Sequence, residues 1–236
     1  MMDLETVMQE LEALGKERMK KMYISNGAHE PVFGVATGAM KPLSKKIKIN
    51  QQLADELYAT GNYDAMYFAG IIADPNAMTE SDYDRWMDTA YFYMLSDYVV
   101  AVTLSESNIA QEVADKWIAS GEELRMSAGW SCYCWLLGNR KDVEFSESKI
   151  SNMLDLVENT IHDSPERTKA SMNNFLSTVG ISYLPLHEKA VETAKAVGIV
   201  EVKRDKKKNS LLNASEGIQK QVDKDKLGFK RKYVRC

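Results

Sequence analysis

Proline and cysteine are scarce in this chain, with 5 prolines and 3 cysteines among 236 residues. Few prolines mean few enforced breaks, and the apolar content leans on Met, Ala and Leu, so the composition favours helix over strand. The cysteines are odd in number, and Cys132 and Cys134 stand two residues apart, where helical side chains diverge. With Cys236 they make a poor disulfide framework and suit a reducing, cytoplasmic compartment. Histidine is equally rare. His29, His162 and His187 form no convergent set with the cysteines, so neither a metal centre nor a cofactor is expected. No apolar run approaches the ~20 residues of a membrane span. The first fourteen residues carry Asp3, Glu5, Glu10 and Glu12 in place of the apolar stretch of a leader, so a soluble protein is expected. Two catalytic signatures are missing as well. Gly34 to Gly38 lacks the lysine and preceding strand of a phosphate loop, and no cysteine or histidine is paired as in a nucleophilic triad.

What the chain does have is charge, unevenly placed. The net charge is −4, but the stretch from Lys203 to Cys236 carries +8 and that from Lys16 to Lys48 carries +6. The first fifteen residues hold −4 and residues 49 to 202 hold −14, so two basic segments flank an acidic middle. The bland reading of both basic segments is solvated helix faces and a solvated tail; the functional reading is phosphate contact.

Apolar residues recur at helical spacing along most of the chain. Leu4, Val7, Met8, Leu11 and Leu14 fall on one face between a capping Asp3 and a terminating Gly15. Further helices are expected from Lys16 to Ser25, from Lys41 to Ile49, after caps at Asn50, Asn62, Thr79 and Ser146, and over Tyr91 to Thr103, Asn108 to Ala119 and Glu122 to Leu137. Ser164-Pro165-Glu166 reads as another start, with the serine as cap and the proline in the first helical position. Helices are also expected over Leu184 to Ala196 and Ser210 to Val222. Ile199 to Val202 is a short strand or a connector. The class is therefore all-α, and short links make consecutive helices antiparallel neighbours. A globular bundle and an α-solenoid both satisfy this pattern. The expected organisation is a helical domain over 1–202, with a basic extension over 203–236 packed on that domain or trailing from it.

Several passages, taken in order, carry a resemblance. They are Gly61 to Ala65 followed by Ile71 to Pro75, Tyr91 to Val100 with Ser96-Asp97-Tyr98, and Lys116 to Ser120 followed by a helix with Arg125, Ala128, Gly129 and Trp130. Phe33-Gly34-Val35, Met172 to Phe175 and Gly228 to Lys232 fit the same order. Over nearly its whole length the chain resembles the DNA alkylation repair family, the AlkD-type HEAT-like repeat DNA glycosylases, as a divergent member. The resemblance implies an α-α superhelix of HEAT-like or ARM type, with about five to six helix pairs. It implies a monomer with double-stranded DNA, alkylated or distorted, on its concave face, and hydrolytic excision of alkylated purines. A carboxylate and aromatic rings would stabilise charge developing on the deoxyribose. A DNA-binding member without catalysis and a protein-interaction scaffold remain as alternatives.

Carried over position by position, the family's catalytic aspartate falls on Asp97 and the tryptophan four residues before it on Tyr93. In an α-helix these would share one face. The second tryptophan's place is taken by Asn174, and Arg125 lies two residues from the position of a DNA-contacting arginine. Trp130 is the tryptophan placed to approach the binding face. Lys45, Lys46, Lys48, Lys230, Arg231 and Lys232 are the expected phosphate contacts. On spacing alone, Tyr91, Phe92, Tyr93 and Tyr98 around Asp97 read as packing between helices.

Overall fold

The computed structural model describes residues 2–204 and 208–235. Asp205, Lys206 and Lys207 of the basic run and Cys236 lie outside the described residues. Contacts gather into two compact units, one running to Ile109 and including Arg235, the other from Ala110 to Val234. Most of the basic extension packs within the second unit.

The first unit holds α1 (Leu4–Leu14), α2 (Glu17–Ser25), α3 (Lys41–Ile47), α4 (Gln51–Ala59), α5 (Tyr63–Ile72) and α6 (Glu80–Thr89). A continuous helical stretch follows, made of α7 (Tyr93–Leu95), a π turn (Ser96–Val100) and α8 (Ala101–Ser105). The helix starts form where short polar side chains satisfy the first backbone donors. Asp3 accepts from the Thr6 N–H, Asn50 from Leu53 and Asn62 from both Asp64 and Ala65. Thr79 and Asp82 form a reciprocal capping box. Helix α5 is apolar on nearly every side, so it lies at the centre, packed by α1, α3, α4 and the π turn. Its own Phe68 and the Leu11 and Leu57 of its neighbours are fully buried, each contributing about 1.5–3 kcal/mol relative to exposure.

Two polar anchors complete this unit. The carboxylate of buried Asp64 accepts the backbone N–H of Phe33 at 2.6 Å, of Gly34 at 3.0 Å and of Val35 at 2.7 Å. It therefore fixes the Phe33-Gly34-Val35 loop through charge-assisted bonds. At the other end of α5, the Arg235 guanidinium donates to the Gly70 and Ala73 carbonyls at 2.9 and 2.8 Å and pairs with Glu106 at 2.6 Å. A cation thus satisfies carbonyls that a helix end leaves without partners.

The second unit holds α9 (Ala110–Ile118), α10 (Glu123–Leu137), α11 (Glu147–Thr160), α12 (Glu166–Ser182) and α13 (His187–Val197). Strands β1 (Val200–Val202) and β2 (Ser210–Leu212) and helix α14 (Ala214–Val222) follow. Helix α10 packs between α9 and α12, and α12 also carries α13 and α14. Gly129 lets α9 and α10 approach closely, since a Cβ there would lie 2.7 Å from the Ala114 carbonyl oxygen.

Local expectations fail in two places. Ser210 opens β2 instead of a helix, paired antiparallel with β1 in the register Val200 to Leu212 and Val202 to Ser210. The helix starts later, capped by Asn213. Ser164 does not cap α12: its hydroxyl turns back to donate to the Thr160 carbonyl at 2.9 Å, and Pro165 stands just outside the helix. The Glu123 carboxylate instead accepts the Arg167 N–H at 2.7 Å, organising the first turn of α12 from the neighbouring helix.

Candidate functional site

The aspartate and tyrosine singled out by the sequence sit at the one place where the helix changes its winding. Through Ser96–Val100 the backbone takes the π form, and the Ala101 N–H reaches the Ser96 carbonyl five residues back. π turns are rare and frequent at functional sites. The same-face argument for Tyr93 and Asp97 assumes α winding, and the wider turn changes the partner. Tyr93 meets Tyr98, five residues on, edge to face with ring centres 6.2 Å apart. Asp97 is only 1% exposed, and its carboxylate accepts the Ser96 hydroxyl at 2.8 Å. Packing holds the turn in place. Gly70 of α5 lies so close that a Cβ there would come within 2.7 Å of Val99 Cγ1. The Thr103 hydroxyl donates back to the Val99 carbonyl at 2.8 Å, tying the start of α8 to the turn.

Rings extend from this turn into the unit. Tyr93 meets Phe92 at 5.9 Å, Phe92 meets Tyr63 at 5.5 Å and Tyr91 at 5.0 Å, and Tyr63 meets Tyr23 at 4.8 Å. Exposed His29 stacks on Tyr91 at 3.6 Å. Burial raises the Tyr63, Tyr23 and Tyr91 hydroxyls above the ordinary tyrosine value, so these phenols stay protonated. The inner rings are core, as spacing suggested. Tyr93 is half-buried and Tyr98 is 39% exposed, so the string reaches the surface there.

The remaining candidates lie in the second unit. Asn174 of α12 is exposed. Arg125 is mostly covered and pairs with Glu122 at 3.2 Å. Trp130 was expected to approach a binding face, but it is 1% exposed and packs on Phe175 at 5.0 Å, which makes it core. The basic tail is not simply solvated either. Lys230 pairs with Asp142 at 2.7 Å and donates to the Leu137 carbonyl at 2.6 Å. The Arg231 guanidinium lies 4.7 Å from the centre of the Trp135 ring, and its backbone bonds Gly138 and Asn139. Lys230 and Arg231 thus strap the tail to the end of α10, while Lys232 remains exposed beside Tyr233.

The basic segment of the first unit is only partly paired. Lys20 pairs with Glu30 at 2.8 Å, a contact that holds the Glu30 carboxyl below its usual range, and Lys21 lies 3.6 Å from Glu17. Lys41, Lys45, Lys46 and Lys48 are exposed, and none has a carboxylate partner among the described residues. They lie on and just after α3, close together in sequence, whereas many cations of the acidic middle are neutralised in pairs such as Lys116–Glu112 and Lys189–Asp155. Among the described residues no group of three or more His, Cys, Asp or Glu is placed to hold a metal ion, and no helix is long and apolar enough to cross a membrane.

The chain belongs to the DNA alkylation repair enzyme family, whose model matches residues 7–218. A solved structure 83% identical over the whole of both chains superposes with a TM-score of 0.97; it comes from a family described as related to the HEAT-like repeat DNA glycosylases, with affinity for branched DNA structures. The fold is accordingly all-α of the HEAT-like repeat kind. Two uncharacterised Listeria proteins are also similar. That of Listeria innocua is 30% identical over 89% of this chain and 93% of its own length. That of Listeria monocytogenes is 30% identical over 82% and 85%.

Proposed function

We propose that this protein binds DNA, with preference for branched over linear duplex. The observation that carries the reading is the cluster Lys41, Lys45, Lys46 and Lys48, exposed cations without carboxylate partners among the described residues. An exposed cation without a carboxylate partner can meet a phosphate without first breaking an ion pair, and these four meet that condition. The preference for branches rests on the 83% identical neighbour, whose family has that affinity. Lys232 and Asn174, both exposed, are further contacts in this reading. Arg125 contributes by exchanging Glu122 for a phosphate, and Trp130 supports α10 from within. Double-stranded DNA is the partner and the protein acts as a monomer, without metal or cofactor. The deciding experiment compares a four-way junction with a linear duplex of the same arm sequence, in one buffer, by fluorescence anisotropy. Tighter binding of the junction is expected, and equal affinity refutes the preference.

A second reading, hydrolytic excision of alkylated purines, is favoured by Asp97 and Tyr93 standing at the positions of the family's aspartate and tryptophan. A cationic purine is a good leaving group, so the site needs no strong general acid, only an anion near the sugar. Asp97 supplies that anion only if the π turn opens, because the carboxylate is covered. Methylated duplex DNA incubated with the protein and then cleaved at abasic sites measures it directly. Wild type releasing bases and Asp97→Asn slower by about a hundredfold or more supports the reading. No release by wild type removes it and leaves DNA binding standing.

A further inference from the structure

The π turn does more than cover Asp97, because it decides which side chain stands beside Tyr93. In α winding, residues five apart lie about 140° apart around the axis and their rings do not meet. Here the wider turn brings Tyr98 edge-on to Tyr93. Around Tyr98 the residues Ser96, Asp97, Val99 and Val100 are all buried, so Tyr98 alone in the turn is turned outward. Phe92, 8% exposed, backs Tyr93 from within. The exposed ring therefore belongs to a packed aromatic string that ends at solvent.

We propose that Tyr98, together with Tyr93, forms a stacking site for an unpaired nucleobase of DNA, of the kind exposed where strands part at a branch point. The proposal rests on the DNA-binding reading and names what that surface recognises at a branch. Three observations favour a base over other occupants. The site offers ring surface, and every base has a face that stacks. The turn itself, Ser96–Val100, carries no lysine or arginine to draw a phosphate. The unpaired lysines of the same unit supply the phosphate contacts that a stacking site lacks. Because the rings are held by packing, few rotamers are lost on binding. A linear, fully paired duplex offers no free base, so the site discriminates between the two forms of DNA.

The test uses the full chain and a forked junction with 2-aminopurine as an unpaired nucleotide at the branch, next to a linear duplex with the same label in a paired position. Wild type is expected to change the label's fluorescence on the junction but not on the duplex. Tyr98→Ala is expected to abolish that change and to weaken junction binding about 5- to 150-fold, with duplex binding altered less than twofold. Tyr98→Phe, which keeps the ring and loses the hydroxyl, is expected to behave as wild type, and it shows whether the alanine variant fails for lack of a ring or for lack of a fold. If Tyr98→Ala keeps both the fluorescence change and the junction affinity, the stacking site is overturned while the preference for branches stands. The same holds if Tyr98→Phe loses both while its melting temperature is unchanged. If wild type binds junction and duplex alike, the functional reading itself fails, and the stacking site with it. A variant that loses affinity for both DNAs equally marks Tyr98 as structural and also overturns the proposal.

Discussion

Replacing Lys41, Lys45, Lys46 and Lys48 together by glutamine tests the DNA-binding reading where it is most exposed. Each lysine that meets a phosphate releases counterions and contributes about 0.9 to the slope of log K against log salt. None of the four has a carboxylate partner among the described residues, so full engagement corresponds to a slope of about 3.6. Over a fourfold rise in salt, that slope amounts to a fall in affinity of about 150-fold, or ~3 kcal/mol. The quadruple variant is expected to lose most of this dependence and to bind more weakly at low salt. The control is the triple glutamine variant at Lys116, Lys149 and Lys189, which are paired to Glu112 at 3.0 Å, Asp115 at 2.5 Å and Asp155 at 2.6 Å. It changes net charge almost as much but removes cations already neutralised, so its slope should match wild type. Anisotropy titrations from about 50 to 200 mM salt give both slopes. The reasoning fails if the quadruple variant keeps its slope, or if the control loses as much, since a general field and not these four contacts would then hold the DNA.

Asp64→Ala removes three bonds and leaves buried N–H groups of the 33–35 loop without an acceptor. A loss of about 3–6 kcal/mol in urea unfolding, with faster amide exchange at residues 33–35, is expected; a loss under ~1 kcal/mol would show that water or a shifted loop replaces the carboxylate. Thr79→Ala should cost about 1 kcal/mol by removing the capping box. The Thr79 backbone bond, chiefly, depresses the folded-state value of Asp82 below its ordinary 3.8. Its contribution is therefore fully present above that value and lost as pH falls through the depressed one. Asp82→Asn should decline less steeply below pH 3.8 than wild type in acid denaturation, and an identical acid limb would remove this role. Burial pushes the Cys132 thiol well above its usual range, while Cys134 is only half-buried. Iodoacetamide on the folded protein should modify Cys134 before Cys132, and mass spectrometry finding equal rates at the two would contradict the packing of α10.

Most of the helical pattern was legible because its signals are local. Asn50, Asn62, Thr79 and Ser146 each cap a backbone N–H two or three residues away, so a short window of sequence contains the whole interaction. Where the partner is distant, reading failed. Ser210 to Leu212 becomes a strand because β1 lies alongside, and three residues are too few to set an alternating pattern. Asp64 finds its partners about thirty residues earlier, and Lys230 finds its own about ninety residues earlier. Charge alone marked Lys230 and Arg231 as solvated or phosphate-bound, yet Asp142 and Trp135 occupy them. At the candidate site, the residues were found but their geometry was not. The passage from Tyr91 to Val100 is aromatic and apolar enough to draw notice, but nothing in its spacing announces a π turn, because the added residue per turn is set by how Gly70 and Thr103 pack.

The Arg235 guanidinium that closes the last turn of α5 has a consequence for the order of events on the ribosome. By residue 109 every other described part of the first unit has been made, but this cation arrives 126 residues later. At 5–20 residues per second the interval is roughly 6 to 25 s. During that time the Gly70 carbonyl keeps the Thr103 hydroxyl, at 3.4 Å, while water takes the cation's place at the Ala73 carbonyl and the Glu106 carboxylate. The amino-terminal unit is therefore born slightly unfinished, and synthesis of the far end supplies its final clasp.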